Sequence, residues 1–276
     1  MEPPAHWRDF DLGLELADDV SAADWLDDAL RPWGWPEPDG PTRIASFVPD
    51  SYEAFARILH PLRWGSGGGG RWSQLATPRG ITIGPATTFS EASGIRERDN
   101  QERWDEYHPS DGSLPAAEMA ALGAALAPHT GTPDDCVFCF WVGSGVWVSD
   151  NGETYYGHLT DEKNAALNAR HQGAWRQERA AMKGIPEVQL PAREHYLFTG
   201  PLGRTARPFR FGEWEWEQSP SMWWPVDRAW FVATEVDGFS SYVGGRQAAI
   251  DDVLGSPELE AIAATAQTPL DPGLAG

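Results

Sequence analysis

Apolar residues along this chain follow two spacings, one of three to four and one of two. Ser21 to Asp24 form a capping-box signature, and Trp25, Leu26 and Leu30 supply an apolar face, which predicts a short helix. Pro32, Pro36, Pro38 and Pro41 impose an extended loop through Trp33-Gly34-Trp35. Ile44 to Val48 reads as a short strand. Asp50, with Glu53 three residues on, caps a predicted helix through Leu59 that carries Phe55, Ile58 and Leu59. Residues 65–70, Gly-Ser-Gly-Gly-Gly-Gly, read as a flexible loop, and 90–107 as a solvated helix or ordered loop. Pro115 to Ala127 predicts a helix with Met119, Leu122 and Leu126 on one face, ended by Pro128.

Alternation dominates the second half. Cys136 to Val142 is a β run rich in Val, Phe and Trp, with Val146 to Val148 as a hairpin partner after the glycine turn. After a long polar helical stretch, Asp161 to Lys183, strands are expected at Tyr196 to Phe198, Phe209 to Trp216 and Ala229 to Val236. Arg246 to Leu254 predicts a helix ended by Gly255, and Ser256-Pro257-Glu258 opens a last one. The tail beyond about Thr268 is expected to fray. Strands joined by hairpins predict an α+β fold: an antiparallel or mixed sheet with helices packed mainly on one face, residues 1–276 forming a single domain.

Charge narrows the classes of partner. The chain carries 21 basic and 41 acidic residues, a net of −20. That field repels phosphate backbones and anionic membranes, so neither nucleic acid nor membrane is an expected partner. A basic protein would be steered towards it, although an acidic surface also serves solubility alone. The two lysines, Lys163 and Lys183, leave the positive charge to arginine, which reads as codon supply in a GC-rich bacterium. The opening, Met1 to Phe10, is acidic and has no apolar h-region, so a cytoplasmic setting is expected. The anomaly is 15 tryptophans, either core or the lining of a pocket or interface.

Candidate chemistry concentrates between Glu213 and Tyr242. In an extended Glu-Trp-Glu-Trp-Glu run, Glu213, Glu215 and Glu217 share a face opposite Trp214 and Trp216. The carboxylates could grip a basic partner or a hard cation, or form the wet face of a half-buried strand. Trp223 and Trp224 beside Asp227 and Arg228 could wall a ligand pocket, or plug a core corner next to a surface ion pair. Glu235 and Asp237 near a strand end, with Tyr242 beyond, form a candidate acid–base pair. Cys136 and Cys139 have C-x-x-C spacing but no second pair, and are read as buried, inert thiols. The seven histidines form no close metal pair, the glycine run lacks the lysine of a phosphate loop, and neither a nucleophile elbow nor a dinucleotide fingerprint is present. No metal and no cofactor is therefore expected.

Three stretches carry a resemblance: Phe47-Val-Pro through Ile58-Leu-His-Pro61, Leu114-Pro to Cys136, and Trp224-Pro-Val-Asp-Arg-Ala-Trp-Phe-Val-Ala-Thr-Glu235 through Tyr242-Val-Gly-Gly245. Together they resemble an uncharacterised protein family of GC-rich bacteria, which implies one established unit and transfers no activity. Two functional expectations follow from the residues. The first is a non-enzymatic acidic module of toxin-neutralising or regulatory type that captures a basic protein. The alternative is a small-molecule enzyme or binder with a Trp-lined pocket around 223–242. A perturbed carboxylate enclosed in a pocket would favour the second, and a flat exposed patch of Trp and Glu the first.

Overall fold

Successive residues of a strand point to opposite faces, and here both faces are apolar. The computed structural model describes residues 3–31, 42–62, 70–96, 103, 106–147, 160, 162–163, 165–166, 176–190, 193–212 and 216–270. Its strands are β1 (Glu15–Leu16), β2 (Ala54–Leu59), β3 (Cys136–Trp141), β4 (Glu187–Leu190), β5 (Arg193–Gly200), β6 (Arg210–Phe211), β7 (Trp216–Glu217), β8 (Met222–Pro225), β9 (Trp230–Thr234), β10 (Ser240–Gly245) and β11 (Ala261–Ala264). Nine of them form one sheet in the order β1-β5-β3-β8-β9-β10-β2-β11, with β4 beside β5. Every pairing is antiparallel. Among the described residues, helices with full ranges include α1 (Leu26–Ala29), α2 (Trp72–Ala76), α3 (Phe89–Ser93), α4 (Ala116–Leu126) and α5 (Gln247–Gly255). The chain is α+β, as the alternation implied, and no helix among the described residues is long and apolar enough to cross a membrane.

The two faces have separate cores. On the first, Phe138 lies opposite both Phe198 and Trp223, and Trp223 opposite Val232, so aromatic and β-branched side chains meet across four strands. Leu122 and Leu126 of α4 and Ile250 and Val253 of α5 close this face. On the second face, Val137, Cys139, Leu197, Met222, Trp224, Phe231 and Tyr242 are roofed by Leu26, Leu30, Ile44, Phe47 and Val48. A third cluster joins Leu59 and Phe239 to Trp72 of α2 and Phe89 of α3. The largest fully buried side chains include Trp72, Trp147, Trp223, Trp224 and Trp230. Each removes roughly 150–250 Å² from water, so these five indoles are structural mass.

Several sequence expectations give way to this two-sided burial. Residues from Ala54 to Leu59 are a strand and not a helix, because β2 is flanked by β10 and β11 and buried on both faces. Continuous burial erases the period that separates the two readings. Ile44–Ser46 is a 3-10 turn tucked under the second face, where a strand was expected. Ser256 to Glu258 form a turn leading into β11, whose backbone pairs with β2, so the expected last helix is absent there. Gly145–Trp147 is a 3-10 turn and no hairpin partner; Trp147 instead donates to the Trp141 carbonyl at 2.6 Å. The single strand expected over Phe209 to Trp216 is a small hairpin, with Arg210 opposite Glu217 and Phe211 opposite Trp216.

The expectations at Pro115–Ala127, Cys136–Val142, Tyr196–Phe198, Ala229–Val236 and Arg246–Leu254 correspond to α4, β3, β5, β9 and α5. Helix is present at 176–181 within the predicted Asp161–Lys183 stretch. The proline-rich loop at 32–41 and most of the glycine-rich loop, 65–69, lie outside the described residues. The chain is held through Leu270, whose N–H donates to the Thr42 carbonyl at 2.9 Å.

Candidate functional site

Trp223 and Trp224 are each 1% exposed and sit on opposite faces of β8. Trp223 stacks on Phe138 with ring centroids 6.3 Å apart, and Trp224 on Phe231 at 5.2 Å. Neighbouring strand positions cannot wall one pocket, so the pocket expected between them is replaced by two core plugs. Tyr242, on the second face, is likewise buried. Asp227 serves the backbone: its carboxylate accepts from Thr130 Oγ1 at 2.9 Å, Gly131 N at 2.7 Å and Ala229 N at 3.1 Å. Arg228, in the left-handed region at φ 55°, lays its guanidinium over Trp25 at 4.6 Å. These contacts fix the β8–β9 turn.

Glu213 and Glu215 lie outside the described residues, as does Trp214. Glu217 is on β7 with Arg210 Nε 3.5 Å away. Its neighbour Trp216 is 63% exposed, so the expected dry face of the Glu-Trp run is absent at that position.

Glu235 and Asp237 do come together, and the group that joins them is Arg193. Its guanidinium pairs with Glu235 Oε1 and reaches Asp237 Oδ2 at 3.1 Å, while lying 5.0 Å above the Trp141 ring. Arg193 begins β5 and Glu235 directly follows β9, so strands distant in sequence bring the pair to one end of the sheet. The pair borders a small cavity of about 20 Å³, partly open to solvent, on the second face. Leu30, Phe47, Leu190, Met222 and Val236 make its apolar wall, and Ser46, Arg193, His195, Ser221, Thr234 and Glu235 bring polar groups to it. An apolar wall with a few polar groups is the character of a ligand site.

Two side chains that line this cavity carry a buried potential acceptor with unused hydrogen-bonding capacity. Glu235 Oε2 and His195 Nδ1 are buried, and neither has a hydrogen-bond partner among the described residues. His195 is 3% exposed. Burial, helped by the charge of Arg193, holds its imidazole down at about 3, so it is neutral near pH 7. Burial pushes the Glu235 carboxyl up, against the opposing pull of Arg193. A contrast comes from His60, buried with both nitrogens engaged: Nδ1 donates to the Ser110 carbonyl at 2.7 Å, and Nε2 lies 2.9 Å from Ser241 Oγ. Buried polar atoms in folded proteins are nearly always satisfied, so the two open acceptors call for a partner; open donors also occur elsewhere, at Trp25 Nε1, Trp230 Nε1 and Arg204 Nε.

Arg193 and His195 were missed as site residues by the sequence reading. Their signal is the period of two: extending the Tyr196–Phe198 strand by three residues places Arg193, His195 and Leu197 on one face. Two further cavities have volumes of about 170 and 200 Å³; the first of these shares Ser221 and Val236 with the cavity at Arg193 and Glu235. Among the described residues no group of three His, Cys, Asp or Glu is placed to hold a metal ion. Cys136 and Cys139 are free and buried on opposite faces, and burial pushes both thiols up, Cys136 to about 12. No protein-family model matches this chain, and no curated protein and no solved structure is similar to it, so the site rests on its own geometry.

Proposed function

We propose that this protein binds a small molecule in the cavity at the Arg193–Glu235 end of the sheet. One observation carries the reading. Glu235 and His195, which line a small apolar chamber, each carry a buried potential acceptor, Oε2 and Nδ1, that no described residue satisfies. Leaving a buried polar group unpaired costs about 1–3 kcal/mol, and a ligand that supplies the missing partners recovers it. An enclosed carboxylate with a raised pKa is the feature by which a pocket is told from a flat docking patch. Two free thiols are compatible with action in a reducing cytoplasm. The test is a thermal-shift screen of small molecules against the wild type and against His195→Leu, which closes the polar end with a side chain of similar size. Hits that raise the wild-type Tm and leave the variant unmoved support the reading. A screen whose hits shift both proteins equally would place binding elsewhere and refute it.

A second reading, capture of a basic protein, draws on the net charge of −20 and on Trp216, an exposed indole beside exposed Glu217. It predicts a stoichiometric basic partner whose binding weakens with salt and is lost in Trp216→Ala. A partner retained by that variant at high salt would count against it.

A further inference from the structure

The two larger cavities adjoin along Asp111 and Gln218, which line both. We propose that they form a second site, independent of the chamber at Arg193 and Glu235, and that its ligand is a neutral polyol the size of one sugar ring. Room comes first. The volumes are about 170 and 200 Å³. A cavity of about 150 Å³ admits benzene, so each of these can take a six-membered ring.

Hydrogen-bond valence selects the class. Gln218 Nε2 donates to the Gly112 carbonyl at 3.0 Å and to the Ser219 carbonyl at 3.4 Å, which leaves its Oε1 as an acceptor. Ser113 Oγ accepts from Ser219 N at 2.8 Å, and Ser219 Oγ from Leu114 N at 2.9 Å, so each keeps an O–H to donate. Ser219 is 5% and Ser221 4% exposed, yet among the described residues no acceptor takes either hydroxyl hydrogen. Ser219 lines one cavity and Ser221 the other. A ligand here must therefore accept from serines and donate to Gln218. Hydroxyl groups do both. An ammonium has no lone pair to offer the serines. A carboxylate or phosphate can accept, but it would face Asp111 and Glu217, and no Lys or Arg is among the described residues lining either cavity. Arg210, the nearest cation to Glu217 at 3.5 Å, is engaged by that carboxylate. Met119 and Phe209 on one side and Phe140 and Val146 on the other offer apolar contact to ring carbons.

The experiment keeps the ring and varies what it carries. Glucose, glucosamine, glucuronate and cyclohexanol are each titrated into the full chain at pH 6.5 and followed by ligand-detected NMR. Glucose should bind at least tenfold more tightly than glucuronate or cyclohexanol, and glucosamine no more tightly than glucose. Ser144→Trp, at a half-buried position on the wall of the smaller cavity, should weaken glucose binding at least tenfold. Should that variant fail to fold, Ser221→Ala deletes only a hydroxyl and should weaken binding about threefold at an unchanged Tm. His195→Leu should leave glucose binding as it is, which separates this site from the chamber. Glucosamine or glucuronate preferred to glucose would overturn the ligand class. Glucose binding kept by both serine variants, or lost in His195→Leu alone, would overturn the site. Failure of all four to bind at millimolar concentration would overturn both and leave the cavities to water.

Discussion

Acid should destabilise this protein well before its carboxylates titrate, because two buried histidines are held neutral. Burial pushes His60 down to about 4 and His195 down to about 3, from an ordinary value of 6.5. The fully buried His60 also faces the charge of Arg57, whose Nε donates to Ser240 Oγ at 2.9 Å. With the folded pKa depressed, the unfolded chain takes up protons first as the pH falls. The stabilisation is complete above about pH 6.5 and is lost as the pH drops towards 4 for His60 and 3 for His195. Between pH 7.5 and pH 5 each histidine costs about 2 kcal/mol, about 4 kcal/mol together, at 1.36 kcal/mol per unit of differential protonation. That is a large share of the 5–15 kcal/mol typical of folded domains. Glu235 has the opposite sign: its raised carboxyl pKa adds stability as the pH falls through the carboxylate range. Asp19 and Glu91, held below their ordinary values by hydrogen bonds from Ser21 and Thr88, lose their contribution lower still. Urea unfolding at pH 7.5 and pH 5.0, followed by circular dichroism, measures the difference. His60→Gln and His195→Gln should each lower stability at pH 7.5 and flatten the pH dependence by about 2 kcal/mol. A wild type equally stable within 1 kcal/mol at the two pH values, or variants that keep the wild-type slope, would refute the reasoning.

Three other outcomes are expected. Gly112→Ala should cost about 3 kcal/mol or more in equilibrium unfolding, because φ is 63° and a Cβ there would overlap the Val236 carbonyl oxygen. Trp224→Ala should lose about 3–5 kcal/mol, whereas Trp216→Ala should stay within about 0.5 kcal/mol; equal effects would contradict the assignment of one indole to the core and the other to solvent. Cys136 and Cys139 should resist a thiol-labelling reagent in buffer and react fully in denaturant, and rapid labelling of the native protein would show that the sheet opens.

Local pattern was enough wherever an element is covered on one side or bounded by strong punctuation. Helix α4 was legible from Pro115, from Met119, Leu122 and Leu126, and from Pro128, since proline at a first turn and proline as a stop act through nearby backbone alone. Strands β3, β5 and β9 were legible from runs of Val, Phe and Trp too short for helices. So were the buried thiols, because positions three apart on a strand face opposite sides.

The strand at Ala54–Leu59 was not legible. Ala54–Leu59 carries helix spacing and helix caps, yet its environment is two hydrogen-bonded neighbours and two apolar layers. Tertiary pairing overrides a preference of a few tenths of a kcal/mol per residue. The candidate site shows the same division. Sequence alone singled out Glu235 and Asp237 as adjacent carboxylates and suspected a pocket among the tryptophans. Only the fold decided that the indoles are core, and that Arg193 and His195, some 40 residues away along the chain, complete the cavity. Sequence carries periodicity, charge and punctuation, which act over a few residues. The meeting of β5 and β9 at one end of the sheet depends on strand order, and strand order is set by packing of the whole chain.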